Sequence, residues 1–528
     1  MSRKHVLIAS FLIGYSLTHW YGLTALPVFA DEAIYIRWAQ LIIDDWRQYL
    51  FFPLNDGKTP LFFWLQVPFL LLMKDQLFAS RTVSVLIGLL QSFVIAKITK
   101  VGGGGNKAQW FSAILVAILP FWFFHHRMAL IDGLLTFLLS IVTYFFWVAA
   151  KRDPAKTTGK WMNWAKKTLL NRSFLLLVFC AGAALGAGLW TKLPAVLLIP
   201  ALAILAISAK FSRAQYVKNA ALFSGTIGFA LFLFALMRIH PAFPQLFRRG
   251  GDFLHPMSGI FSLDVLSQTL PSIPTYAGYF IQYASPVAWL FVLYGLFYGK
   301  HKGSVHQLFW AGMVFLMPMV VLGKVVFPRY LLPAMIFFTP ALALSIESMV
   351  DNLKFQSKLT ALGAGKMVFV AVLLANVATH SFQFILPAMI SPEDIPFVSS
   401  DAEQYLLEWS SGHGIAETAE LIAQAAEKEK VAVATEGFFG TLPDGLLLNF
   451  HNRPVDNISI EGIGQPVGDV PDEFWSKHST FERFWLVVNS HRLLKKPDGY
   501  LLAEFCRPAQ APCLQVWELN PPTLDVNE

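Results

Sequence analysis

The sequence predicts a polytopic α-helical membrane protein that ends in a soluble α/β domain, and three observations carry that reading. Of 528 residues, 55% are hydrophobic, 15% aromatic and only 14% charged, with a mean hydropathy of +0.51. Soluble domains carry roughly a quarter charged residues, so an ordinary cytosolic enzyme is excluded, and a disordered chain with it. Apolar runs long enough to cross a bilayer recur through residues 1–387 and then stop. The charge divides at the same place: residues 1–387 hold 32 basic and 12 acidic side chains, and residues 388–528 hold 9 and 22. The net charge of +7 averages two unlike parts, and its sign makes no case for nucleic acid.

On the length rule for crossing helices about eleven spans are expected. They start near Val6, Phe78, Ala108, Ala129, Ser173, Leu193, Asn219, Ala277, His306, Tyr330 and Lys366. A further apolar run, 61–73, is short and meets Lys74-Asp75, so it reads as interfacial or re-entrant. No small-residue cleavage site precedes Asp31, so the first span reads as an anchor rather than a removed leader. Basic residues gather in alternate loops, near 97–107, 151–172, 210–218, 299–306 and 351–366; the second has seven against the single acid Asp153. The other loops hold Asp31, Glu32, Asp44, Asp45, Asp56, Asp132, Asp252 and Asp264. By the positive-inside rule the N-terminus is cytoplasmic, and an odd number of spans puts residues 388–528 outside. A bacterial inner membrane is the expected location.

In that outer part, 415–429 has helical spacing, and 431–435, 484–488 and 514–517 read as short buried strands. Cys506 and Cys513 flank Pro508 and Pro512; in an oxidising compartment they close a small loop as a disulfide, with two free thiols as the alternative. Cys180 falls inside a span and reads as a small apolar filler.

Familiar soluble chemistry is missing. Gly102–Gly105 lacks the spacing of a phosphate-binding loop, and the chain has no Cys-x-x-Cys, His-Glu-x-x-His or Gly-x-Ser-x-Gly motif. What remains is a ring of ionisable residues at the outer ends of the spans. Charges in apolar surroundings are costly and mark function. Their crowding at one face suits an interfacial active site better than a transport path.

The sharpest cluster is the outer loop 27–77. Asp31-Glu32 follows the first span directly, and 35–52 mixes Trp38, Ile42 and Trp46 with Arg37, Asp44 and Arg47, an amphipathic pattern suited to lying along a membrane surface. Gly57-Lys58-Thr59-Pro60 comes next. A poorly solvated carboxylate is a stronger base and can deprotonate a hydroxyl, while a lysine offers a compact positive charge to a lipid-linked phosphate.

These residues, with Arg81-Thr82-Val83-Ser84, Leu130-Ile131-Asp132, Gly188-Leu189-Trp190-Thr191-Lys192 and Pro328-Arg329-Tyr330-Leu331-Leu332-Pro333, fall in an order that resembles the family 39-like, GT-C-fold glycosyltransferases. That group includes the dolichyl-phosphate-mannose protein mannosyltransferases and the lipid A aminoarabinose transferases. The resemblance spans 31–333 well and touches the C-terminal part only through 409–414 and 435–437. It implies that Asp31 is the catalytic base, with Glu32 beside it, and that Asp132 is a second acid shaping the site. It implies that Lys58, Arg329, Tyr330 and Lys192 hold the donor phosphate. The implied donor is a polyprenyl-phosphate-linked sugar, and the implied acceptor a lipid, glycan or protein hydroxyl. Some relatives carry an acid directly before the lysine that helps bind a metal; Gly57 stands there in this chain, which leaves Asp56 and His126 as the metal candidates.

Weaker candidates surround these. Adjacent His125 and His126 point in different directions on a helix, which favours interfacial hydrogen bonding over shared metal ligation. Arg248 and Arg249 suit a donor phosphate, an anionic acceptor or lipid headgroups equally. Trp38, Trp46 and Trp64 read as interfacial anchors rather than sugar platforms, and Glu436 as an ordinary surface acid. Competing functions are another GT-C activity, such as oligosaccharide or chain-extending transfer, and a lipid-linked sugar transporter or flippase. The transporter predicts midplane charges and internal repeats, and no clear repeat is visible. A non-catalytic scaffold would leave the carboxylate–lysine loop without a purpose.

Overall fold

The computed structural model describes residues 3–154, 161–207, 211–248, 250–255, 262–356, 361–451 and 456–522. In chain order its principal helices are α1 (Arg3–Trp20), α2 (Ala30–Asp44), α3 (Leu61–Leu72), α4 (Gln76–Val101), α5 (Asn106–Ile118), α6 (Ile131–Lys151), α7 (Arg172–Thr191), α8 (Arg213–Ala235), α9 (Ile273–Ala284), α10 (Pro286–Phe297), α11 (Lys302–Leu322), α12 (Met335–Gln356), α13 (Ala361–Ile390) and α14 (Ile415–Ala426). Two compact units form. The first is Met1–Tyr21, Leu50–Phe62 and Ser84–Leu386, and the second is Gly22–Tyr49, Phe63–Val83 and Pro387–Glu528.

Seven helical runs among the described residues are long and apolar enough to cross a membrane: Gln76–Val101, Ile131–Lys151, Arg172–Thr191, Arg213–Ile239, Lys302–Leu322, Pro328–Asn352 and Met367–Ile390. Each coincides with an expected span. An eighth expectation, near Ala277, is a broken one: Ser267–Ala284 and Pro286–Phe297 meet at 100°. The break has a local cause, because Pro286 has no N–H to give and Ser285 adopts a left-handed φ of 69°. The remaining three expectations fall on α1, α5 and the run Leu193–Leu205, which are shorter or more polar.

Within the first unit, small residues let helices approach closely. Gly182 and Gly186, four apart on α7, face α8; an added Cβ on them would sit 2.9 Å from Phe229 and 2.8 Å from Leu233. Within the apolar run Pro328–Asn352, residues 331–348 are all buried. At its far end Glu347 accepts the Gly105 and Ala108 N–H groups at 3.1 and 3.4 Å, capping α5.

The second unit is built on a five-stranded sheet in the order β2-β1-β3-β5-β4. Its strands are β1 (Val431–Thr435), β2 (Ile458–Gly462), β3 (Arg483–Asn489), β4 (Gly499–Cys506) and β5 (Cys513–Leu519). β1 runs parallel to β2 and β3, while β5 is antiparallel to β3 and β4. The period-two rule sorts the side chains: Val431 and Val433 enter one core with Ile415 and Ile422 of α14, and Ala432 and Ala434 enter the other with Phe484 and Leu486. β1, β3, β5 and α14 answer the expected elements. β2 and β4 had no apolar run to announce them, since β2 is half-buried throughout and β4 is an edge strand with much of its length exposed. Cys506 and Cys513 pair across the β4–β5 hairpin and are disulfide-bonded.

The helix expected to lie on a membrane surface differs from that expectation. On α2, Ala33, Ile36 and Ala39 are fully buried against Ile415, Ile422, Leu446 and Leu448 of the same unit. Gln40 donates to the Leu448 carbonyl and to Gln76 Oε1, both at 3.1 Å. Its apolar face is thus covered by protein of its own unit.

Candidate active site

Four of the expected site residues meet in the first unit. Asp132, in the first turn of α6, is 3% exposed, and Lys192 donates to its Oδ1 at 2.7 Å. The Lys192 ammonium also lies 4.5 Å from the centre of the Tyr330 ring. Arg329, 6% exposed, sets its guanidinium 5.4 Å from the same ring and from Phe327. Two cations, one carboxylate and a phenol ring thus share one neighbourhood. α6 brings Asp132 at a helix start, where the dipole favours an anion. Lys192 stands at the end of α7, where the extended backbone of the cap turns its side chain out of the helical row.

Lys58 follows a short 3₁₀ turn, Phe52–Asp56, and donates to Asp56 Oδ2 at 3.1 Å. Gly57 between them has φ 72°, a left-handed value that glycine adopts without strain. The turn is fixed by Leu54, fully buried with Met237, Ala242 and Leu246, and flanked by Trp190 and Leu193 on either side of Lys192. Phe51 stacks on His240 at 4.7 Å. His240 belongs to an open cleft of about 640 Å³ lined by Phe234, Arg238, Pro241, Phe243 and Phe247.

Asp31 and Glu32 belong to the second unit, in the first turn of α2. Asp31 is half-buried. Glu32 is completely buried. Arg81 grips it with Nε and Nη2 at 2.9 and 2.6 Å, and the same guanidinium donates to the carbonyls of Leu23, Leu26 and Pro27. From the third helical position Glu32 also accepts the Phe29 N–H at 3.1 Å, half of a capping box. Its oxygens are spent on holding the loop that presents Asp31. Arg81 was legible as part of a motif, yet its role was not; an arginine among apolar helix residues signals a buried acidic partner.

Several weaker candidates are also located. His125 and His126 are fully buried, His125 bonded to the Phe121 carbonyl and His126 packed over Gly88. Among the described residues, no group of three possible metal ligands includes His126 or Asp56. Their neighbour Arg127 caps α1 by donating to the carbonyls of Thr18, His19 and Tyr21. Arg248 is exposed, and Arg249 lies outside the described residues. Arg37 donates weakly to Gln40 and acts electrostatically on Asp444, whose carboxyl burial pushes up to about 6. Glu436 is no surface acid: it is 1% exposed and bound by Asn489 and Arg492.

Residues 57–237 match the family described as dolichyl-phosphate-mannose-protein mannosyltransferase. The crystal structure of ArnT from Cupriavidus metallidurans bound to undecaprenyl phosphate is similar over 98% of both chains, with a TM-score of 0.57 at 14% identity. The oligosaccharyltransferase of Archaeoglobus fulgidus is similar over 92% of this chain and 69% of that one, with a TM-score of 0.52 at 10% identity. No curated protein sequence matches the chain. The protein therefore has the GT-C membrane fold, and its residues 57–237 are similar to the dolichyl-phosphate-mannose-protein mannosyltransferase family.

Proposed function

We propose that the protein moves a single sugar from a polyprenyl-phosphate donor to a hydroxyl of a lipid, glycan or protein acceptor on the extracytoplasmic face of a membrane. The observation that carries the reading is the gathering of Asp132, Lys192, Arg329 and Tyr330, far apart in sequence, into one cluster of a GT-C fold, with Asp132 and Arg329 buried and Lys192 and Tyr330 half-buried. Two cations beside a shielding carboxylate suit a lipid phosphate. The undecaprenyl phosphate bound by ArnT supports the same donor class. The aromatic and proline-lined cleft beside the Lys58 turn offers an isoprenoid chain an apolar bed. The loop charges support a cytoplasmic N-terminus and an outer C-terminal part.

In this reaction the bond from sugar C1 to the phosphate oxygen breaks and a bond from C1 to the acceptor oxygen forms. The acceptor's proton passes to the Asp31 carboxylate. The polyprenyl phosphate leaves carrying one further negative charge, which Lys58 and Arg329 stabilise; a well-aimed charged donor contributes roughly 3 kcal/mol to such a barrier. Asp132 orients Lys192 toward the same phosphate. No nucleotide is needed, because the sugar arrives activated on its lipid.

The test is a transfer assay with purified full-length protein against a panel of polyprenyl-phosphate sugars, with lipid A, glycan and peptide acceptors, with and without EDTA. One monosaccharide donor should support transfer, and Asp31→Asn should abolish it while leaving the melting temperature unchanged. Full activity of that variant sinks the base assignment. Transfer only from a lipid-linked oligosaccharide, or movement of the intact donor between vesicle leaflets, overturns the single-sugar reading.

A further inference from the structure

The carboxyl ends of the three parallel strands lead into loops that are tied together. Gly437 N–H donates to the Gly464 carbonyl at 2.8 Å, Val467 N–H to Arg492 and Leu494 N–H to Val467, each at 2.8 Å. Glycines with left-handed backbone, Gly437, Gly440 and Gly464, bracket the turns. The tip they support is apolar where a soluble surface would be polar. Phe438 and Phe439 are 71% and 64% exposed, and Leu494 is 70% exposed. Phe438 lies along Gly464, and Leu494 reaches Gly468, so the same loop carries both.

Basic residues gather on one side of this tip. Residues 388–528 hold 22 acids against 9 bases, yet 490–496 contain Arg492, Lys495 and Lys496 and no acid. Lys495 meets the exposed Asp469 at 2.5 Å, and Arg492 is shared between Glu436 and the Trp409 ring. The same unit also holds the end of the last apolar run, Pro387–Ile390, with Gly22 packed against the Met389 carbonyl. Gly440 in turn packs on Trp409 and Ala30. The loop that carries the tip and the end of the last apolar run thus belong to one compact unit.

We propose that the Phe438–Phe439 loop, with Leu494 beside it and Lys495 and Lys496 at its rim, enters the headgroup layer of an anionic bilayer. Exposed aromatic side chains bury favourably at the acyl boundary, and basic residues at the rim are drawn to anionic lipid. An acidic domain is repelled from such a surface everywhere else, so this contact fixes which edge of the sheet faces the lipid. The proposal does not depend on which sugar is transferred.

The test uses the full chain with Cys180→Ala and Phe439→Cys, labelled with nitrobenzoxadiazole and reconstituted in phosphatidylcholine vesicles containing about 30% phosphatidylglycerol. Emission should fall about two-fold when doxyl-labelled phospholipid is included, and iodide should quench poorly. A label at Lys477→Cys, an exposed position at the end of the short helix Asp472–Lys477 of the same unit, should behave in the opposite way. A label at Leu494→Cys should follow the Phe439 site, and Lys495→Glu with Lys496→Glu should weaken the lipid quenching. Equal iodide access at 439 and 477 with no doxyl quenching overturns the proposal. So does protection at 439 that appears in detergent and grows with protein concentration, which would indicate a second copy of the chain.

Discussion

Replacing Glu32 by Gln distinguishes a carboxylate that holds the fold from one that takes part in the proposed transfer. The side chain keeps its shape and one acceptor oxygen but loses its charge. Arg81, fully buried, then keeps a positive charge with no anion beside it, while its bonds to Leu23, Leu26 and Pro27 remain. Breaking one side of a buried pair costs about 3–5 kcal/mol. For a unit of roughly 200 residues, about 2–4 °C of melting temperature is lost per kcal/mol, so Glu32→Gln should melt roughly 10 °C lower. The assay is a thermal shift measurement in lipid nanodiscs, paired with the transfer assay at a temperature where the variant is folded. Specific activity there should stay within a few-fold of the parent. The double change Glu32→Leu with Arg81→Met removes both charges and should recover part of the loss, leaving the three carbonyls without their donor and the Phe29 N–H without its acceptor. An unchanged melting temperature together with lost transfer in Glu32→Gln would refute the reasoning and return Glu32 to the chemistry.

Lys58→Gln should raise the KM for donor at least ten-fold, about 1.4 kcal/mol, and leave the KM for acceptor near its parent value, checked by steady-state kinetics. Asp132→Asn weakens the charge that holds Lys192 at 2.7 Å, so transfer should fall while donor binding persists, read from single-turnover rates. Asp444 carries a pH signature. Its carboxyl is pushed from 3.8 up to about 6 by burial, so the folded form holds its proton more tightly than the unfolded chain does. Stability is full below about pH 4, declines as pH rises to about 6, and is flat above, a loss of about 3 kcal/mol. Asp444→Asn should melt higher at pH 7 and lack that decline. Reducing the Cys506–Cys513 disulfide, which closes a loop of sequence separation 7, should lower the stability of the second unit by about 2.5 kcal/mol, seen as a lower melting temperature with reductant.

What the chain order determines by itself is everything that depends on solvent. Long apolar runs must enter lipid because each backbone group is satisfied within its own helix, and seven of those runs are helices at the expected places. The buried strands Val431–Thr435 and Arg483–Asn489 announce themselves by continuous apolar sequence, and the paired cysteines by their spacing. The strands Ile458–Gly462 and Gly499–Cys506 do not, because half-buried and edge strands are selected by their neighbours rather than by their own side chains. The site divides in the same way. Asp31, Lys58 and Asp132 stand out as charges in apolar context, which is a local property, while Arg329 is singled out by the motif that resembles the GT-C glycosyltransferases. Which charge pairs with which is not local. Glu32 and Arg81 are 49 positions apart, Lys192 and Asp132 are 60, and Glu436 and Arg492 are 56. Only the tertiary structure decides that Glu32 pairs with Arg81, that Lys192 answers Asp132, and that the apolar face of α2 is covered within its own unit. The reason is energetic: a buried charge is tolerated only where the fold delivers its partner, and a sequence states the charge without the partner.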